Sequence, residues 1–177
     1  MRLFIGIELP KSFKAELFRM ENELKALGAT GRFVPEGNFH ITLNFLGEQN
    51  DVYGIANAMK SAARGIRPFT LHLAKYGCFP RADGHVAFVN VAGDLNELSV
   101  LHESLISALL DGGFSCERKR FTPHITLGRA VKYPEGTEEK LQSLSPNASV
   151  SVSGMVLFES VRRESGMIYS VLHREKF

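Results

Sequence analysis

One tetrapeptide occurs twice in this chain, and it constrains the fold more than any other feature. His-Ile-Thr-Leu spans residues 40–43 and again residues 124–127, nearly half of the 177-residue chain apart. Each half therefore carries one copy, as an internal duplication or a fold of two similar lobes would leave it. The first copy lies in the cleanest strand pattern of the sequence, residues 39–46. Strict alternation predicts Phe39, Ile41, Leu43 and Phe45 on one face and His40, Thr42 and Asn44 on the other. The second copy reads the same way, with His124 and Thr126 side by side.

The surrounding pattern interleaves helices and strands. Residues 3–9 read as a strand closed by Pro10. Residues 12–27 carry apolar side chains at helical spacing and stop at Gly28. A second helix is predicted over 51–64 and a third over 94–111, where Asp94 is placed to cap and Leu95, Leu98, Leu101, Leu105, Leu109 and Leu110 form the stripe. Strands are predicted over 69–76 and 85–91, with the turn-rich stretch 77–84 between them. A short helical piece over 138–144 follows the second motif, and a strand pair over 149–160 and 167–173 closes the chain. Several strands are amphipathic, so mainly antiparallel sheets with one covered face are expected.

Composition excludes several classes. No apolar run reaches the length of a membrane span. The opening Met1–Pro10 has too short an apolar stretch for a secretory leader and reads as a strand. Cys78 and Cys116 form no Cys-x-x-Cys pair and are expected as free thiols of a reducing, cytoplasmic compartment. Asn147-Ala148-Ser149 matches a glycosylation acceptor only by chance in that setting. The net charge of +2 is too small to argue for nucleic-acid binding by itself. Two local basic runs, Arg118-Lys119-Arg120 and Arg162-Arg163, read first as solvated faces. No Cys/His or Asp/Glu cluster has metal-ligand spacing, so no metal and no cofactor are expected. No glycine-rich phosphate loop is present, which counts against an ATP-dependent ligase.

Two imidazoles and two hydroxyls brought together suit phosphoryl transfer. Histidine titrates near neutrality, so one ring can act as base while the other acts as acid. A bell-shaped rate around neutral pH is the expected signature. Threonine hydroxyls can hold non-bridging phosphate oxygens. Arg129 is a candidate phosphate clamp. Strict alternation puts it opposite His124, unless a bulge at Gly128 re-aims it. Phe39 and Phe45 are expected in the core. Phe33 and Phe121 are candidates for stacking on a base. His72, His85, His102 and His173 belong to no repeated pattern and read as surface or structural residues.

With both motifs in view, the sequence resembles the RNA 2',3'-cyclic phosphodiesterases, also called the 2'-5' RNA ligase family, of the two-histidine phosphoesterase superfamily. The resemblance runs over nearly the whole chain: the opening strand to Pro10, residues 38–47, Gly77-Cys78-Phe79-Pro80 and residues 120–129. Phe33 stands where family members often have tryptophan. The resemblance implies an α+β fold of two pseudo-symmetric lobes, with mainly antiparallel sheets facing a central cleft and helices outside. It implies one domain of two intertwined lobes over residues 1–177. It also implies hydrolysis of an RNA-terminal 2',3'-cyclic phosphate to a 2'-phosphomonoester, with no metal. His40 would protonate the leaving 3'-oxygen and His124 would take the proton of the attacking water. The identical motifs do not by themselves assign those roles. The same chemistry in the joining direction would make a 2'-5' bond. Three alternatives stand beside this reading: a cyclic phosphodiesterase of small nucleotides, an RNA-binding module without catalysis, and a metal-dependent phosphatase. A monomer is the default for a domain of this size.

Overall fold

A computed structural model describes residues 1–117, 120–164 and 166–177. The elements run β1 (Arg2–Glu8), α1 (Lys11–Ala26), β2 (Thr30–Phe33), β3 (His40–Glu48), α2 (Val52–Ala62), β4 (Phe69–Arg81), β5 (Gly84–Gly93), α3 (Leu95–Asp111), β6 (His124–Lys132), α4 (Thr137–Gln142), β7 (Ser149–Val152), β8 (Gly154–Arg163) and β9 (Gly166–Lys176). A short 3-10 turn, Glu36–Asn38, leads into β3.

The strands form two antiparallel sheets, ordered β3-β1-β8-β9 and β2-β6-β5-β4-β7. A repeated arrangement of elements is visible in this order. The series β3-β1-β8-β9 maps onto β6-β5-β4-β7, and β1-α1-β3-α2 maps onto β5-α3-β6-α4. Strand β4 follows the first motif half yet pairs in the second sheet. Strand β8 follows the second half yet pairs in the first. Neither half of the chain completes its own sheet.

The helices cover the sheets from outside. Phe13, Leu17, Met20 and Leu24 of α1 are buried at helical spacing. On α2 the Asp51 carboxylate caps the helix by accepting from the Gly54 amide at 2.8 Å. On α3 the buried stripe is Leu98, Leu101, Leu105 and Leu109. Leu95 and Leu110, expected in that stripe, are exposed. Asp94 does not cap α3 with its side chain; the carboxylate accepts from the Thr70 amide at 2.7 Å and ties the helix to β4 instead.

Three further differences from the sequence expectation concern strands. Residues 77–81 are not a loop but the end of β4, which turns back only at Ala82-Asp83. Residues 149–160 are two strands, since the chain leaves β7 in one sheet and enters β8 in the other. Strand β2, short and exposed, adds to the edge of β6 and has no counterpart in the first lobe. Both cysteines are free. No helix among the described residues is long and apolar enough to cross a membrane. Arg118 and Lys119 of the first basic run lie outside the described residues.

Candidate active site

The two motif strands, β3 and β6, face one cleft between the sheets. His40, Thr42, His124, Thr126 and Arg129 all line it, and its volume is about 560 Å³. Ile41 and Ile125, the alternate residues, are fully buried and anchor each strand on the opposite face.

Both strands break their alternation at the same place. On β3, Ile5 pairs with Asn44 and Gly6 with Thr42, so Leu43 is skipped. On β6, Ala87 pairs with Gly128 and Phe88 with Thr126, so Leu127 is skipped. Each skip is a bulge that reverses the faces of the residues after it. Arg129 therefore joins His124 and Thr126 on the cleft side. Phe45 joins His40 and Thr42 and is 47% exposed in the cleft wall. The expectation that Phe45 is a core residue is thus wrong, because it assumed unbroken alternation. Phe39 precedes the bulge and is core as expected, at 1% exposure.

The backbone sets the tautomer of both rings. His40 Nδ1 lies 2.7 Å from the Asn38 carbonyl oxygen, and His124 Nδ1 lies 2.7 Å from that of Thr122. A carbonyl only accepts, so Nδ1 carries the proton in each ring and Nε2 is the working nitrogen. In His40, Nε2 accepts from the Thr42 hydroxyl at 3.0 Å. The Asn38 side chain donates to the Met167 carbonyl at 2.7 Å, which ties the loop before His40 to β9.

Aromatic side chains bed both rings. Tyr169 meets His40 edge-on at 5.2 Å and Phe4 lies 4.8 Å from it. Phe88 and Phe79 lie 5.1 and 5.7 Å from His124. Burial pushes His40 down from 6.5 to about 4. The Asn38 bond opposes this, while the positive charges of Lys14 and Arg129, and His124, add to it. His40 is therefore neutral at pH 7 in the free protein. Tyr169 is pushed above the usual phenol range, chiefly by burial.

The other sequence candidates lie elsewhere. Phe33 packs under the Lys25 ammonium, 4.6 Å from its ring centroid, and Phe121 stacks on His102 at 4.1 Å. Neither lines the cleft. His85 stacks on Tyr133, and His173 pairs with Glu175. Among the described residues no group of three or more His, Cys, Asp or Glu could hold a metal ion. Phe45, Tyr169, Arg2, Ser160 and Met167 are among the cleft residues that sequence reasoning missed. Aligning the two repeats would have exposed Phe45, since it occupies the position of Arg129 after His-Ile-Thr-Leu.

The model of the 2'-5' RNA ligase superfamily matches residues 22–164. An RNA 2',3'-cyclic phosphodiesterase of Thermotoga maritima is 32% identical, over 100% of this chain and 96% of its own length. One of Aeropyrum pernix is 31% identical, over 90% and 94%. Among solved structures, TT0787 of Thermus thermophilus has a TM-score of 0.77 at 25% identity, covering 99% of this chain and 97% of that one. Escherichia coli LigT complexed with 3'-AMP has a TM-score of 0.76 at 27% identity, covering 99% and 96%.

Proposed function

The chain belongs to the 2'-5' RNA ligase superfamily, and from that premise we propose that it hydrolyses the 2',3'-cyclic phosphate of an RNA end to a 2'-phosphomonoester. The observation that carries this reading is the pair of imidazole Nε2 atoms, presented with matching tautomers and flanking threonines to one cleft. Named relatives with that activity along nearly the full chain support the substrate class.

In this reading the cyclic phosphate sits between the two motif strands. Water attacks phosphorus in line with the 3'-oxygen. A P–O bond to the water oxygen forms, the P–O3' bond breaks, and the 2'-oxygen stays on phosphorus. His124 Nε2 takes the proton of the water. His40 Nε2 gives its proton to the leaving 3'-oxygen. Thr42, Thr126 and Arg129 hold the non-bridging oxygens and their growing charge. His40 is neutral before substrate arrives, so its acid role needs a proton gained on binding. The anionic phosphate beside a buried ring favours that gain. Protonation also ends the bond from Thr42, because Nε2 no longer accepts; the hydroxyl is freed to donate to the phosphate, and the new N–H is free for the leaving 3'-oxygen.

No step in this scheme calls on a metal ion or another cofactor. With an RNA 5'-hydroxyl in place of water, the same step forms a 2'-5' phosphodiester. The protein works as a single two-lobed unit and as a monomer, since one chain supplies both histidines. Its two unbridged thiols fit a reducing cytoplasm.

The test is product identity. An RNA oligonucleotide ending in a 2',3'-cyclic phosphate is incubated with the protein in a metal chelator, and the phosphomonoester is resolved. A 2'-phosphate supports the reading. A 3'-phosphate, or activity abolished by the chelator, contradicts it.

A further inference from the structure

The cleft face of the first sheet extends well past the histidines. Phe45 pairs across with Phe4, Phe4 with Phe158, and Phe158 with Val171. These four form one apolar row straight across β3, β1, β8 and β9. Phe4 stacks on Phe158 and meets Tyr169 edge-on, both at 5.0 Å. Val171, at the far end of the row, is 37% exposed.

Beyond this row the face turns polar and basic. Ser160 pairs with Tyr169, and two residues farther Arg162 pairs with Met167. Ser160, Met167 and Tyr169 line the cleft. Alternation then puts the exposed Arg162 on the same face, beside Met167 and farther from the histidines. Arg2, two residues before Phe4, faces the cleft from β1. From β3 to β8 is two strand spacings, roughly 10 Å. The Asn38–Met167 bond holds this hairpin against the loop before His40.

Phe4 and Phe158 are buried, and the half-buried Tyr169 packs edge-on against Phe4 at their surface. A ring and a thioether lining an open cleft, with an exposed arginine beside them, suit the packing of one nucleotide of a single strand and the pairing of its phosphate. Resting on the phosphodiesterase reading above, we infer that the β8–β9 hairpin forms a second nucleotide subsite. It takes the nucleotide that precedes the cyclic-phosphate end. Tyr169 and Met167 pack against that nucleotide, and Arg162 pairs with its phosphate.

The experiment compares kcat/KM on a 2',3'-cyclic mononucleotide and on an oligonucleotide ending in a 2',3'-cyclic phosphate, for the wild type, Arg162→Ala and Arg162→Glu. The wild type should favour the oligonucleotide by about tenfold or more. Arg162→Ala should erase most of that preference and leave the mononucleotide rate unchanged, with Arg162→Glu more severe. The salt dependence on the oligonucleotide should become shallower by about one charge. No preference in the wild type, or an equal effect of the substitutions on both substrates, overturns the subsite. If the wild type hydrolyses neither substrate, the phosphodiesterase reading itself fails and the subsite with it.

Discussion

The Asn38 carbonyl oxygen accepts the Nδ1 proton of His40 at 2.7 Å, and this one bond turns Nε2 of that ring toward the cleft. The same ring is held at about 4 by burial. An acid-base pair needs one ring charged and one neutral. In the free protein His40 takes its proton only as pH falls toward about 4, so the titration of this ring enters kcat/KM there. The kcat/KM profile should therefore keep its bell shape but carry its acid limb down to near pH 4. An acid limb near the ordinary histidine value of 6.5 would contradict the buried, neutral His40.

Stability should carry the same signature. The folded protein resists protonation of His40, while the unfolded chain takes up that proton near 6.5. Between these values the unfolded state binds more protons, so stability is full above pH 6.5 and falls as pH drops toward 4. The contribution of this one ring is on the order of 3 kcal/mol at the limit. Urea unfolding at pH 7 and pH 4.5 measures it. His40→Ala should lose less stability over that interval than the wild type; equal losses would remove His40 as a source.

The bulge at Leu127 makes Arg129 a cleft residue. Arg129→Ala should lower kcat/KM about 100-fold, as the loss of one charge-stabilising donor does. Arg129→Lys should recover part of it, since a point charge replaces a planar fork. Steady-state kinetics with a circular-dichroism control decides. An unchanged rate in Arg129→Ala would mean that the guanidinium does not touch the phosphate.

Gly6 lies opposite Thr42, where a side chain cannot be accommodated. A Cβ there would stand 2.6 Å from the Ile41 carbonyl oxygen and 3.5 Å from the His40 ring. Gly6→Ala should push β3 away, destabilise the fold by about 1–3 kcal/mol and lower kcat through displaced His40. Gly37→Ala serves as the control, since its Cβ would meet nothing within 4 Å. Denaturant midpoints and kcat for both variants check this.

The sequence made the paired strands, the two lobes and the histidine–threonine constellation legible, because a period of two survives from His40 to Leu43 and from His124 to Leu127. It hid what comes immediately after. Leu43 is as apolar in a bulge as in a regular pair, so nothing local marks the reversal that exposes Phe45. In the second copy Gly128 gave the only hint. Residues 77–80 read as a turn because Gly and Pro usually make one, yet Gly77 is a strand residue packed against the Phe88 ring. The move from β7 to β8 at Ser153 changes sheets at a single residue, with no Pro or multi-residue turn to mark it. Strand β2 is too short and polar to stand out, and only the free edge of β6 explains it. Tyr169 reaches His40 from a strand more than a hundred residues away, a contact that topology alone creates.

The central claim is that His40 and His124 act as a pair, and single-site substitution tests it most directly. Hydrolysis of a cyclic-phosphate-ended RNA is measured in chelator for the wild type, His40→Ala and His124→Ala, each shown to be folded by circular dichroism. The account predicts robust wild-type turnover and a loss of about 100- to 10,000-fold in each variant. Activity within a few-fold of wild type after either substitution would contradict it.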